Sequence, residues 1–119
     1  MKMAHVTIFS ACMEDSVKFY QDIVGLTIVR DMRDNPMHPI VFLANGAGET
    51  CVEIVEEPAK AYQGAGISMG FITEDAQTKR AELEAAGYQP TPMISPGPGT
   101  TFFFVNDPNG VGIQFVEEA

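Results

Sequence analysis

The chain is poor in cysteine and in basic residues. Cys12 and Cys51 are its only cysteines. They lack zinc-type spacing, and neither has an evident base beside it in sequence, so nucleophilic thiol chemistry is not indicated. One bridge is conceivable but nothing requires it, because a chain of 119 residues buries roughly two-thirds of its unfolded surface without a staple. Both are expected to be reduced thiols in a cytoplasm. Only 7 Lys and Arg stand against 16 Asp and Glu, a formal charge of −9. Such a surface repels phosphate backbones and anionic lipid, so neither nucleic acid nor a membrane is an expected partner. No apolar run approaches the roughly 18 residues of a membrane span. The sequence enters strand-like residues at 4–9, so no secretory signal is expected. Gly97 and Gly99 flank Pro98 and open no helix, which removes a phosphate-cradling loop. With 8 prolines, 11 glycines and 45 % apolar residues, the composition is that of a folded globular chain rather than a low-complexity one. A single domain over 1–119 is expected.

Periodicity predicts the elements. Residues 4–10 alternate as a strand, with Val6 and Ile8 on one face and His5, Thr7 and Phe9 on the other. Asp15 or Ser16 would cap a helix carrying Val17, Tyr20, Ile23 and Val24 at helical spacing, and Gly25 would end it. Strands follow at 26–30, 40–44 and 50–55, with a polar loop at 31–39 and a glycine hairpin at 45–49. A linker spans about 58–66. Residues 67–73 form a strand. Glu74 or Asp75 opens a second helix with Ala76, Lys79 or Arg80, Leu83 and Ala86 along one stripe, ended by Gly87. A strand begins at 88–92, pushed to a sheet edge by Pro90 and Pro92. Residues 95–99 read as a loop, 101–105 as a strand, 107–110 as a turn set by Pro108 and Gly110, and 111–116 as the closing strand.

The same unit is written twice. Residues 53–57 (Glu-Ile-Val-Glu-Glu) recur as 114–118 (Gln-Phe-Val-Glu-Glu), 61 positions on. The period is too long for a solenoid repeat and fits two βαβββ modules, at about 4–57 and 67–118.

Residues 4–26, with Phe19-Tyr20 and Gly25-Leu26, the Phe-rich strand 102–104, the Asp107–Gly110 turn and the closing strand 113–116 together resemble the glyoxalase I / bleomycin-resistance / extradiol dioxygenase (vicinal oxygen chelate) superfamily. The resemblance covers nearly the whole chain and both halves. It implies an α+β fold: two βαβββ modules whose eight strands form a cup-shaped mixed sheet with helices outside, commonly in a homodimer. It also implies a small-molecule ligand in the cup and, in many members, a divalent metal held by His or Gln and Glu side chains on the first and last strands of each module.

Carried over residue by residue, the resemblance places His5 and Glu53 at the two ligand positions of module one, and Ser68 and Gln114 at those of module two. Ser68 stands where the family often has His, and Gln114 where it usually has Glu. An amide and a hydroxyl are weaker donors than a carboxylate and an imidazole. Losing a strong donor and a charge costs several kcal/mol of a metal-binding total of about 10–16 kcal/mol. The expected cofactor is therefore none, or a divalent metal bound weakly by His5, Glu53, Gln114 and waters. The dioxygenase branch, which needs two His and a carboxylate on iron, is the least expected.

The leading expectation is a small, partly apolar ligand met by His5, Thr7, Phe9, Glu53, Ser68, Gly70, Phe104 and Gln114. The alternative is a metal-dependent lyase or isomerase with Glu53 as catalytic base. A third is a scaffold whose cup is filled by Phe9, Met69 and Phe104. Plainer roles stand beside these: His5 and Glu53 as solvent-facing polar residues on a strand, Ser68 and Gln114 as ordinary hydrogen-bonding groups, and His38 as an exposed loop residue. Met32, Met37 and Met93 fall in loops, where they would make an adaptable apolar lip, and Met69 reads as core filling.

Overall fold

The computed structural model describes residues 1–118. The chain divides into two units, residues 1–63 and 64–119. In the first, β1 (His5–Ser10), α1 (Met13–Lys18), β2 (Thr27–Met32), β3 (Ile40–Ala44) and β4 (Cys51–Glu56) follow in order. In the second come β5 (Ser68–Ile72), α2 (Ala76–Ala85), β6 (Ile94–Gly97), β7 (Thr100–Asn106) and β8 (Gly112–Glu118). Each unit is a βαβββ module with one four-stranded mixed sheet, ordered β1-β4-β3-β2 and β5-β8-β7-β6. The first and last strands pair in parallel and the others antiparallel. A parallel first–last pair needs a crossover, and the module's helix lies in that connection.

Strand alternation divides each sheet into two faces. In unit one, Ile8, Val41, Leu43, Val52 and Ile54 are buried, as are Val17, Phe19 and Tyr20 of the helical segment, and α1 packs on β4. In unit two, Phe103, Val105, Ile113 and Phe115 are buried together with Ala76 and Leu83 of α2. The Phe103 and Phe115 rings stack at 5.5 Å. Cys12 and Cys51 are unbridged thiols. No helix among the described residues is long and apolar enough to cross a membrane.

Several boundaries differ from the sequence reading, among them β8, which runs to Glu118 past the expected end at 116; three of the changes matter most. The first helix begins at Met13, with Cys12 rather than Asp15 or Ser16 at its cap and no side-chain cap bond. Ser16 lies within the helix, buried, where its hydroxyl donates back to the Cys12 carbonyl at 2.8 Å, so it serves the turn preceding it rather than a cap. The helix then widens to a π turn at Phe19–Ile23 and closes at Gly25, whose φ of 87° suits a residue without Cβ. β2 runs on to Met32, past the expected end at 30. The third change is at 88–97. No strand forms at 88–92, because Pro90 and Pro92 have no N–H to give; Thr91 alone bonds to β7, donating to the Phe104 carbonyl at 2.8 Å. The edge strand is instead Ile94–Gly97, inside the expected loop. An outermost strand tolerates Pro96, and Gly99, at φ 84°, turns the chain into β7.

Helix α2 starts as expected. The Asp75 carboxylate accepts from the Thr78 N–H at 3.0 Å, and that bond holds its pKa below the usual carboxylate range. A depressed carboxylate stabilises the fold above its unfolded pKa and loses that contribution as pH falls through its folded value. Asp75→Ala is therefore expected to lower the urea midpoint at pH 6. The gap between variant and wild type should close in strong acid, as read by circular dichroism at both pH values.

Candidate functional site

The second face of sheet one carries the polar residues. β1 pairs with β4 so that Thr7 lies beside Glu53 and His5 beside Cys51. β3 pairs with β4 so that Phe42 lies on the other side of Glu53. Paired residues share a face, so β1, β4 and β3 bring His5, Thr7, Glu53 and Phe42 together. The Thr7 hydroxyl donates to Glu53 Oε1. His5 Nε2 stands 3.5 Å from the same oxygen, and the imidazole meets the Phe42 ring edge-on at 5.9 Å. The Glu53 side chain is only 14 % exposed and that of His5 45 %. Glu53 is thus a sheltered carboxylate rather than a solvent-facing one, held in one orientation by a hydroxyl and an imidazole. Phe9 shares this face by alternation, and Lys60 Nζ lies 5.8 Å from its ring.

Sheet two repeats the pattern with different chemistry. Gly70 pairs with Gln114 and Phe104 with Gln114, so the trio Thr7–Glu53–Phe42 has the counterpart Gly70–Gln114–Phe104. A Cβ on Gly70 would meet Gln114 Oε1 at 3.2 Å; the missing side chain leaves room for the amide to lie along β5. Ser68 pairs with Gly112 and is exposed. Phe104 meets Phe102 edge-on at 5.7 Å. His38 is half-buried rather than exposed, and its N–H donates to the Asn35 side chain at 3.2 Å.

Phe42 is a residue the sequence reading missed. The 61-position repeat sets it on Phe103, and only the strand register, which puts Phe42 opposite Glu53 and Phe104 opposite Gln114, shows it as the counterpart of Phe104.

A metal can be weighed on the donors. His5 Nε2 and Glu53 Oε1 are close enough to share an ion, and imidazole and carboxylate suit divalent cations. Among the described residues no three His, Cys, Asp or Glu side chains converge, and the register counterpart of Glu53 is a neutral amide. The donors of unit one therefore fit an ion that keeps much of its water, not a closed protein cage.

A groove of about 810 Å³ lies elsewhere, in unit two, and its lining includes Asp75, Arg80, Glu84, Met93 and Glu117. Several of its polar groups already serve the fold. Glu117 accepts from the Ala76 N–H at 2.8 Å, and Arg80 donates to Glu84 at 2.9 Å and to the Thr91 carbonyl at 2.7 Å. Size alone does not make it the site; the sheltered Glu53 cluster has the stronger chemical claim.

Comparison with known proteins agrees with this architecture. The chain is 28 % identical to the lactoylglutathione lyase of Haemophilus influenzae over 128 aligned positions, covering 98 % of this chain and 93 % of the lyase. Among solved structures, the trypanothione-dependent glyoxalase I of Leishmania major matches with a TM-score of 0.84 at 22 % identity, over 99 % of this chain and 87 % of that one. An antibiotic-binding protein from a Streptomyces species matches with a TM-score of 0.77 at 17 % identity, over 100 % and 97 %. At such identities the structural matches speak for the fold alone. The family model described as Glyoxalase/Bleomycin resistance protein/Dioxygenase superfamily matches residues 2–115. Two βαβββ modules, the paired trios across their sheets and a match over nearly every residue lead to one conclusion: the chain belongs to the glyoxalase/bleomycin resistance protein/dioxygenase superfamily.

Proposed function

We propose that the protein binds a small, partly apolar molecule on the sheet faces that carry these trios, without a tightly held metal. The carrying observation is Glu53: a carboxylate 14 % exposed, fixed by Thr7 and His5 and bordered by Phe42. A charge sheltered at mid-strand contributes little to the core and is well suited to orient a hydrogen-bond donor of a ligand whose apolar part rests on the aromatic ring. Gln114, Gly70, Ser68 and Phe104 would present a neutral version of the same surface on sheet two. A cytoplasmic homodimer belongs to this reading. A broad screen of hydrophobic small molecules by thermal unfolding tests it. A ligand at 100 times its Kd should add about 2.7 kcal/mol of stability, and a screen in which no compound raises the melting temperature would overturn the proposal.

The kinship to a lactoylglutathione lyase over 98 % of this chain favours a second reading, a metal-dependent lyase or isomerase. His5 and Glu53 would hold a divalent ion, which when bound supplies Lewis-acid polarisation of a carbonyl oxygen. Glu53 would take the proton from the adjacent carbon, with Thr7 fixing its orientation. Metal analysis of protein purified without chelator separates the readings. Near-stoichiometric metal that disappears in His5→Ala, with turnover of lactoylglutathione, supports the enzyme; sub-stoichiometric metal unchanged in the variant supports the binder.

A further inference from the structure

The Thr7–Glu53–Phe42 row does not end at Phe42. In the β2–β3 pair Ile28 lies opposite Leu43, but Arg30 lies opposite Phe42, because the register shifts between Ile28 and Arg30. Val29 is the extra residue. Without that bulge Arg30 would stand opposite Val41, on the face buried beneath the helix. With it, Arg30 turns to the same face as Glu53. β-bulges re-aim side chains in this way and are over-represented beside functional sites. One row therefore crosses all four strands: Thr7, Glu53, Phe42, Arg30.

Arg30 also differs from the other two arginines. Arg33 pairs with Asp31 and with Glu14, and Arg80 with Glu84. Arg30, among the described residues, has no carboxylate partner; its guanidinium sits 6.0 Å from the centre of the Phe42 ring. This occurs in a protein with 16 acidic residues. The adjacent Asp31 does not supply the partner, since it lies opposite Val41 and is engaged by the Arg33 guanidinium.

We infer that Arg30, aimed by the Val29 bulge, is the specificity-determining residue of sheet one, and that it selects an anionic ligand. The ligand would carry an acidic group for Arg30, an aromatic or unsaturated body for Phe42 and a hydrogen-bond donor for Glu53. Two inter-strand steps separate the acidic and basic ends of the row, roughly 10 Å between backbones. That spacing fits a small aromatic acid bearing a hydroxyl or amine at its far end. A guanidinium binds carboxylate and phosphate alike through paired N–H donors, so the class is fixed by charge and shape, and either acid meets it. The inference rests on the proposed ligand-binding reading and adds the ligand's charge to it.

The test uses the whole chain and three probes by calorimetry: 4-hydroxyphenylacetate, its methyl ester and 4-hydroxybenzyl phosphate. At least one acid should bind 10-fold or more tightly than the ester. That preference should vanish in Arg30→Met, which keeps the aliphatic stem, and persist at least in part in Arg30→Lys. The better of the two acids tells carboxylate from phosphoryl recognition. Equal binding of acid and ester, or an acid preference that survives Arg30→Met, would overturn the role of Arg30 while leaving the ligand-binding proposal standing. Failure of all three probes, in a protein that responds to neutral compounds in the thermal screen, would overturn the ligand class itself.

Discussion

Phe103→Ala is expected to lower the unfolding free energy by about 3–5 kcal/mol, the cost of emptying a filled aromatic site. Phe103 is wholly buried and lies opposite Phe115 on β8. The two rings stack with an interplanar angle of 30°, and Phe71 approaches the far partner at 6.4 Å. Truncation would remove one ring of this cluster and leave Phe115 facing a cavity beneath α2. The loss takes a large share of the 5–15 kcal/mol that holds an ordinary domain together. Phe103→Leu, which keeps most of the volume, should lose substantially less. Urea unfolding followed by circular dichroism reads both. A loss under about 1 kcal/mol for the alanine variant would contradict this description of the core.

The second large effect concerns binding rather than stability. Glu53→Gln keeps the shape of the side chain and an oxygen able to accept from Thr7, but removes the charge. Hydrogen bonds to a charged group contribute about 1.5–3 kcal/mol, so affinity for a ligand from the thermal screen should fall roughly 10- to 100-fold. The fold should tolerate the change, because glutamine already occupies the counterpart position in sheet two, as Gln114. Calorimetry against a matched urea titration separates the effects. Unchanged affinity with a large stability loss would recast Glu53 as a structural residue.

The fold was legible because several independent signals agreed. The strand expected at 40–44 became β3 with those bounds. Gly25 and Gly87 ended helical segments at φ 87° and 92°. The Asp107–Gly110 turn closed through the Asp107 carboxylate, which accepts from the Asn109 and Val111 N–H groups at 2.8 and 2.9 Å. Agreement of local and global preferences is what makes a sequence readable. The family resemblance then placed His5 and Glu53 at the two ligand positions of module one, and the structure brings them within 3.5 Å.

What was not legible depends on neighbours rather than on the segment itself. Ser16 has the chemistry of a cap, and only its burial shows that it belongs inside the helix. The 94–97 segment reads as a loop until β7 is there for it to pair with. Glu53 alternates as a surface residue would; its shelter comes from strands on both sides of β4. Arg30 was hidden most completely, since a regular strand at 26–30 gives no sign that Val29 bulges and turns the guanidinium over.

The most direct test of the central claim is the location of the bound ligand. Amide chemical-shift mapping of the isotope-labelled protein, titrated with a compound from the thermal screen, should show the largest perturbations at residues 5–7, 40–42 and 51–55. Perturbations concentrated instead at 74–84 and 91–93, around the α2 groove, would contradict the assignment of function to the Glu53 face.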